Sequence, residues 1–206
     1  MIGFRHAAYD TPGRVTPSPR AGRFHRAHDP ATQYLSLHPL GPAAEMLRHQ
    51  FDAGVDQETV DTLRLNLWAA HVPPDGVLLI DFDNAAAHGI EPEDLVGDDY
   101  SPTQAWADEV RSRGLPGMIV PSAALPGTEA LVLFGPRVLH PYCFTPVDLH
   151  VEVPTGHLSD DAGSPREVVG LVRWFGQPHL GLVEWRETGA TRRLEDPTAR
   201  RFYDRA

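Results

Sequence analysis

The sequence lacks lysine altogether and contains one cysteine in 206 residues. All 18 basic side chains are arginine, which we attribute to a genome rich in arginine and alanine codons. Cys143 has no second cysteine to pair with, which excludes a disulfide-stapled scaffold. Long apolar runs are absent too, since glycine or proline interrupts even residues 117–121, and no N-terminal signal pattern is present. We therefore expect a cytoplasmic protein without membrane contact.

The net charge of −10 argues against non-specific nucleic-acid binding, which needs a broad basic surface. The charge is unevenly distributed, however. Residues 1–50 contain six arginines and three acidic residues, a balance of +3 that leaves −13 for the rest of the chain. A local basic patch in an acidic protein suits a small anionic ligand better than a polyanion. We expect no direct nucleic-acid binding by this chain.

The first fifty residues predict a loop, a strand and a helix. Three prolines in residues 11–20 favour a surface loop. Residues 33–37 alternate in polarity and predict a strand with Tyr34 on the face opposite its two leucines. Pro42 favours the start of a helix over residues 43–51, with Glu45 in its first turn. The helix dipole would hold a carboxylate there in its ionised form.

The remaining pattern predicts a central sheet and two more helices. The predicted strands are residues 63–72, 77–82, 118–121, 130–134, 147–153, 168–174 and 180–186. The predicted helices are residues 101–113 and 195–205. Residues 155–165 are linker-like, so we expect a core in residues 1–154, with 155–206 adding strands and a helix packed on the same domain.

Several motifs along the chain resemble the RES domain, a family named for its arginine, glutamate and serine. The motifs are Gly22-Arg23-Phe24, residues 32–37, Ala44-Glu45, the helix with Thr103-Gln104, residues 117–122 and residues 132–134. The resemblance runs from about Phe4 to Phe144. The family includes the toxins of Xre–RES toxin–antitoxin pairs.

The resemblance implies an α/β (α+β) fold related to ADP-ribosyltransferases, with a mixed or antiparallel central sheet flanked by helices. It also implies that NAD is the substrate, that no cofactor is bound, and that inorganic phosphate is a candidate co-substrate. Family members cleave the bond between nicotinamide and ribose. The positions that match the family's pocket are Arg5, Arg23, Tyr34, Glu45 and Ser122.

The chemistry of these residue types suits that reaction. Departure of nicotinamide builds positive charge on the ribose, which the carboxylate of Glu45 can stabilise. Arg5 and Arg23 can bind the pyrophosphate or an incoming phosphate through two hydrogen bonds each. Tyr34 can stack on nicotinamide or bond a ribose hydroxyl. Ser122 is expected to bind rather than attack, because no base lies beside it in the sequence.

Three functions stay open from the sequence. The first is NAD hydrolysis or phosphorolysis, restrained by an Xre or helix-turn-helix antitoxin that covers the pocket. The second is ADP-ribosylation of a protein, and the third is a catalytically inactive RES-like binding module. The presence of Arg23, Tyr34 and Glu45 favours the first. A homodimer also stays open.

A metal site is not expected. The spacing of His25, His28 and Asp29 suits a metal ligand set, but a loop with two histidines and no cysteine is more typical of a solvated loop.

Overall fold

The computed structural model describes residues 1–6, 17–72, 74–134, 156–163 and 166–195. Its strands are β1 (Ile2–His6), β2 (Thr32–Ser36), β3 (Arg64–His71), β4 (Leu78–Leu79), β5 (Gly117–Pro121), β6 (Glu129–Phe134) and β7 (Gly156–Gly163). Its helices are α1 (Gly41–Gln50), α2 (Gln57–Asp61), α3 (Pro92–Val96), α4 (Ser101–Ser112), α5 (Arg166–Leu171) and α6 (Leu180–Thr188). A short 3-10 helix spans Ala86–His88.

The strands form one mixed sheet in the order β4-β5-β6-β2-β1-β3-β7. Only β4 and β5 are parallel among the described strand pairs, and the other neighbours run antiparallel. Helices pack against this sheet, so the predicted α/β class with a central mixed sheet is confirmed. No helix in the described residues is long and apolar enough to cross a bilayer.

The predicted β2 strand is confirmed, and so is the orientation of its side chains. Tyr34 packs against an apolar cluster that contains Phe24 and Trp106. Leu35 belongs to a different cluster, together with Leu131. The alternation of polar and apolar residues therefore places Tyr34 on one face and its leucine neighbour on the other.

Helix α1 begins at Gly41, two residues ahead of the predicted start at residue 43. Leu40 flanks the helix, and Pro42 lies in its first turn. The first turn consequently contains no acidic residue, and Glu45 lies in the second turn. The prediction that Glu45 lies in the first turn of the helix is therefore wrong.

Two predicted strands near the C-terminus are helices. Residues 168–174 and 180–186 are occupied mainly by α5 and α6. Val168 and Val172 are both buried and four residues apart, the spacing of one helix face. Short apolar runs carry this ambiguity, because their periodicity alone does not separate a buried strand from a buried helix.

Other predicted segments differ from the structure or lie outside the described residues. The linker-like residues 155–165 contain strand β7, which pairs with β3 at the edge of the sheet. The strand predicted over 77–82 is confined to Leu78–Leu79, although Ile80 N still donates to Ile119 O at 2.9 Å. The strand at 147–153 and residues 196–205 of the terminal helix lie outside the described residues, as does most of the loop at 11–20.

The core is built from clusters that join helices to the sheet. Trp106 and Val110 of α4 pack with Phe24 and Val132 in one of them. In another, α1 packs against α5, and its side chains include Ala44, Leu47, Val168 and Trp174. Full burial of an aliphatic side chain such as Leu47 contributes about 1.5–3 kcal/mol, so this second cluster fixes the helix that carries Glu45.

The pairing between β1 and β2 is the shortest in the described sheet. One register pair, Phe4↔Ser36, connects these two strands. By contrast, β1 pairs with β3 at five positions and β2 pairs with β6 at five positions. Residues of both strands line a cavity at this point.

Candidate active site

A cavity of about 610 Å³ contains every site residue that the sequence predicts. Its walls come from β1, β2, the Gly22 loop, α1, Tyr100 and the end of β5. The five predicted residues on these walls are Arg5, Arg23, Tyr34, Glu45 and Ser122. The structure therefore brings together side chains that lie up to 117 positions apart in the sequence, and a cavity of this size is typical of a small-molecule site.

The Gly22-Arg23-Phe24 motif is held in place by the first turn of α4. Thr103 Oγ1 donates to Arg23 O at 2.6 Å. Gln104 Nε2 donates to Gly22 O at 2.9 Å and to His25 O at 3.2 Å. The Thr103-Gln104 pair that forms part of the family resemblance is thus the support of the arginine motif.

The guanidinium of Arg23 is partly committed to the protein. Its Nη1 donates to Gly97 O at 2.6 Å, and the group lies over the ring of Tyr100 with 4.7 Å to the centroid. Burial lowers the pKa of Arg23, although nearby Tyr100 and Glu45 oppose that shift. The group stays a cation at neutral pH because the ordinary pKa of arginine lies far above neutrality.

The hydroxyl of Tyr34 ties β2 to the arginine motif. It accepts from Phe24 N at 3.0 Å and lies 2.7 Å from His25 Nδ1. His25 Nε2 lies 3.1 Å from Arg20 O, a carbonyl that can only accept, so Nε2 bears the hydrogen. Burial lowers the pKa of His25, which favours this neutral ring. Nδ1 is then an acceptor, and the Tyr34 hydroxyl donates to it.

Burial also raises the pKa of Tyr34, so its phenol stays protonated. The ring of Tyr34 stacks on Phe24 with centroids 6.3 Å apart. One lone pair of the hydroxyl stays available to a ligand, since a phenol oxygen accepts two hydrogen bonds and one is used by Phe24.

Arg5 differs from Arg23 in having unmet donors. Its Nε and Nη1 atoms are buried and have no hydrogen-bond partner among the described residues. Burial lowers the pKa of Arg5 to about 10. A buried cation with unsatisfied donors is costly, and an anion beside it removes that cost. The arrangement at Arg5 is therefore suited to a phosphate group.

Glu45 presents the carboxylate of the cavity. Its side chain is 44% exposed, and Oε2 lies 3.5 Å from Nε2 of His49, one helical turn further along α1. A carboxylate that is partly solvated and weakly paired keeps oxygen lone pairs free for a ligand. Glu45 can therefore approach a bound sugar directly.

Ser122 follows β5 and is buried. Its Oγ accepts from Leu125 N at 3.1 Å, which leaves its hydroxyl hydrogen available. The nearby His179 donates from Nε2 to the carbonyl oxygen of Ser122 at 3.0 Å, not to the hydroxyl. His179 therefore does not act as a base on the Ser122 hydroxyl in this arrangement, which agrees with a binding role for the serine.

The sequence did not identify a charged cluster that extends from Arg48, on the cavity wall, to Asp98 and Arg173. Arg48 donates from Nη2 to Asp98 Oδ1 at 2.6 Å, and from Nη1 to Ala123 O. Asp98 also accepts from Arg173 Nη1 and from Gly176 N, each at 2.7 Å. Burial opposes ionisation of Asp98, but these donors outweigh it and hold its pKa below the usual range.

Of these residues, Arg48 could have been found from its position in the sequence. Arg48 lies three positions after Glu45, the spacing that places two side chains on neighbouring parts of one helix face. Asp98 had no such signal, because it stands in a Gly-Asp-Asp-Tyr run that is typical of a solvated turn.

The described residues contain no group of three or more His, Cys, Asp or Glu side chains placed to bind a metal ion. Of the residues with a suitable spacing, His25 has both ring nitrogens engaged by Tyr34 and Arg20.

Comparison with known proteins gives three results. The family model described as RES domain matches residues 3–154. A protein of Mycobacterium tuberculosis named "Probable NAD(+) phosphorylase" is 35% identical over 118 residues, which is 57% of this chain and 55% of that protein. The chain thus matches about half the length of this curated relative.

The third result is a solved structure, that of the M. tuberculosis MbcT-MbcA toxin-antitoxin complex. The match has a TM-score of 0.54 at 19% identity, and it covers 67% of this chain and 75% of that chain. At this identity the likeness shows a shared fold.

Proposed function

This chain belongs to the RES domain family, and on that premise we propose that it cleaves NAD between nicotinamide and ribose, with inorganic phosphate as the acceptor. The observation that carries the proposal is the meeting, in one cavity, of the accessible carboxylate of Glu45 and the unsatisfied buried donors of Arg5. The name of the M. tuberculosis relative supports phosphate rather than water as the acceptor.

In this reaction an oxygen of phosphate forms a bond to C1′ of the nicotinamide ribose as the C1′–N bond breaks. The bonding pair leaves on the nicotinamide nitrogen, which becomes neutral. The products are nicotinamide and ADP-ribose 1″-phosphate. Positive charge develops on the ribose in the transition state, and the carboxylate of Glu45 stabilises it.

We assign different roles to the two predicted arginines. Arg5 has free Nε and Nη1 donors, so we assign it direct contact with a phosphate group. Arg23 uses Nη1 on Gly97 O, and contributes positive field to the cavity with its remaining donors. Both actions lower the energy of an anion in the cavity.

Tyr34 and Ser122 receive supporting roles. Because the Tyr34 hydroxyl already bonds Phe24 N and His25 Nδ1, its main action is to hold the arginine motif against β2. Ser122 keeps a hydroxyl hydrogen that can bond the carboxamide or a ribose oxygen of NAD.

An antitoxin partner is part of the proposal. The structurally similar M. tuberculosis chain was solved in a toxin-antitoxin complex, which supports a partner protein for this chain as well. We propose that the partner covers the mouth of the cavity and that the enzyme acts in the cytoplasm, without a cofactor. The Xre type of the partner and a homodimer stay predictions.

The test is NAD consumption by purified protein with and without phosphate, followed by mass spectrometry of the products. We expect nicotinamide release that requires phosphate and yields ADP-ribose 1″-phosphate. Glu45→Gln should lower kcat by about 100- to 1,000-fold, the usual cost of removing one electrostatic stabiliser of a transition state. Glu58→Gln, on the exposed surface of α2, is the matched control and should keep full activity.

Other outcomes assign other functions. Nicotinamide release without a need for phosphate would indicate hydrolysis. Transfer of label from NAD to a protein would indicate an ADP-ribosyltransferase. A folded protein that leaves NAD intact and labels no protein would be a binding module.

A further inference from the structure

Residues 172–179 connect α5 to α6 and lie outside the residues that the family model matches. We infer that this connection is a positioning element of the active site, acting through Arg173 and Phe175 on Glu45, Arg23 and Ser122. The inference rests on the proposed NAD cleavage, and four sets of contacts carry it.

The first set supports the loop that anchors Arg23. Arg173 Nη1 donates to Val96 O at 2.8 Å and to Asp98 Oδ1 at 2.7 Å. Between these two residues stands Gly97, whose carbonyl oxygen accepts from Arg23 Nη1. Arg173 thus binds the backbone of Val96 on one side of Gly97 and the side chain of Asp98 on the other.

The second set supports the loop that carries Ser122. The backbone N of Arg173 donates to Ala124 O at 2.9 Å. His179 Nε2 donates to Ser122 O at 3.0 Å. Two bonds from one connection therefore hold the loop directly at the serine and two residues beyond it.

The third set acts on the end of α1. The ring of Phe175 lies on the guanidinium of Arg48, with 4.3 Å to the ring centroid. The same ring meets the edge of His49 at a centroid distance of 5.5 Å. His49 in turn lies 3.5 Å from the carboxylate of Glu45. Phe175 therefore restrains Arg48 and His49, which lie three and four positions after Glu45 on the helix, without lining the cavity itself.

The fourth set is apolar. Val172 and Trp174, beside Arg173, pack in the same buried cluster as Ala44 and Leu47. These two α1 residues flank Glu45 in the sequence, one directly before it and one two positions after it. The connection therefore packs against the apolar face of α1 and also contacts Arg48 and His49 at its C-terminal end.

Electrostatics explains why α1 needs this support. Arg23, Arg48 and Arg173 are close enough that burial and the two other arginines together lower the pKa of Arg48. Asp98 neutralises part of this charge, and the electron-rich face of Phe175 stabilises the Arg48 cation further. A displacement of about 1 Å of a catalytic group can reduce the rate by about 100-fold. A change in the position of Arg48 should therefore shift Glu45 on the same helix and lower kcat.

The test replaces Phe175, whose side chain is exposed enough to be changed safely. The residue is 45% exposed, so substitution should leave thermal stability nearly unchanged. Phe175→Leu removes the aromatic face, and we expect kcat to fall about tenfold with a smaller change in KM for NAD. Phe175→Tyr keeps the face and should stay within about twofold of wild type. Leu180→Ala is the control, because Leu180 is 68% exposed at the start of α6.

A second readout does not need activity. Leu125 N donates to Ser122 Oγ, and Phe51 N donates to Leu47 O. Hydrogen exchange at these two amides should become faster in Phe175→Leu and stay unchanged in Phe175→Tyr and Leu180→Ala.

The two readouts separate failure of the inference from failure of the proposed function. Wild-type kcat in Phe175→Leu, or a loss shared equally by Leu180→Ala, overturns the inference. If the wild-type protein does not cleave NAD, the proposed function is wrong, and exchange at the two amides then decides the positioning role by itself.

Discussion

Two arginines of the cavity are buried in opposite circumstances. Arg48, on α1, donates to Asp98 and to Ala123 O, and Phe175 covers its guanidinium. Arg5, on β1, has two buried nitrogens without a partner among the described residues. Burial lowers the pKa of both groups, so their solvation alone does not distinguish them.

The difference teaches how to separate a structural arginine from one that binds a ligand. Buried polar groups in folded proteins nearly always have partners, because an unmet donor costs about 1–3 kcal/mol. Arg48 has partners for both of its terminal nitrogens and, among the described residues, lacks one only at Nε, so it stabilises the fold. Arg5 departs from the rule inside a cavity, and the departure marks the place where an anion is expected.

Replacing Arg48 should have the largest effect on stability. Arg48→Met leaves Ala123 O without its donor and removes one of the partners of Asp98. We expect the free energy of unfolding to fall by on the order of 3 kcal/mol, measured by urea denaturation. An unchanged midpoint would mean that Arg48 is not the structural member of the pair.

Replacing Arg5 should lower activity and leave stability unchanged. Arg5→Met removes a buried charge that has no partner, so stability should not fall, whereas NAD cleavage should drop by about 100-fold or more. Steady-state kinetics at varied phosphate, with thermal unfolding alongside, measure both effects. Arg26→Gln, at an exposed ion pair with Asp108, is the control. Loss of stability without loss of activity would reverse the assignments of Arg5 and Arg48.

A pH dependence should arise at His179, which donates to the carbonyl oxygen of Ser122 in the cavity wall. Burial lowers the pKa of His179 to about 4, against about 6.5 in the unfolded chain. Between these values the unfolded chain binds more protons, so stability is full above pH 6.5 and is lost as the pH falls towards 4. The contribution is up to about 3 kcal/mol.

The neutral ring explains this direction, since Nδ1 accepts from Leu182 N at the start of α6 while Nε2 donates to Ser122 O. A proton on Nδ1 would remove that acceptor. Denaturation at pH 7 and pH 5 should therefore show a smaller pH effect in His179→Asn than in wild type. Equal pH effects in the two proteins would contradict the assignment.

The smallest effect should come from an arginine that is satisfied but exposed. Arg186 of α6 pairs with Glu93, and both side chains are about half exposed. Arg186→Gln should change the free energy of unfolding by less than about 1 kcal/mol and leave NAD cleavage unchanged. A larger loss would show that an arginine with hydrogen-bond partners stabilises the fold strongly even when it is exposed. Burial would then not explain the effect expected for Arg48.

The sequence predicted five residues that line the cavity, but it missed Arg48 on the cavity wall and Asp98 behind it. Arg23, Tyr34 and Glu45 belong to motifs whose order is visible in the chain, and the structure brings them together. Asp98 acts through the long-range contacts with Arg48 and Arg173, which no local pattern encodes. Site residues that belong to motifs can be predicted from the sequence. The residues that support them can be identified only from the tertiary structure.

The secondary-structure errors have a similar cause. Apolar runs at 168–174 and 180–186 fit a buried strand or a buried helix equally well, and packing against α1 and the sheet decides for helices. His179 flanks the start of α6 and accepts from Leu182 N, but histidine is not among the residues that usually signal a helix start. The start of α1 was misplaced by two residues for lack of a side-chain cap at Leu40.

Arg173 follows Asp98 by 75 positions in the chain. A ribosome adds about 5–20 residues per second, so roughly 4–15 s pass between the synthesis of the two residues. During this interval the nascent chain already contains Arg23 and Glu45, but residues 172–179, which we infer to position them, have not yet been made. On the proposed function, we expect the nascent chain to gain NAD-cleaving activity only after residues 172–179 have been added.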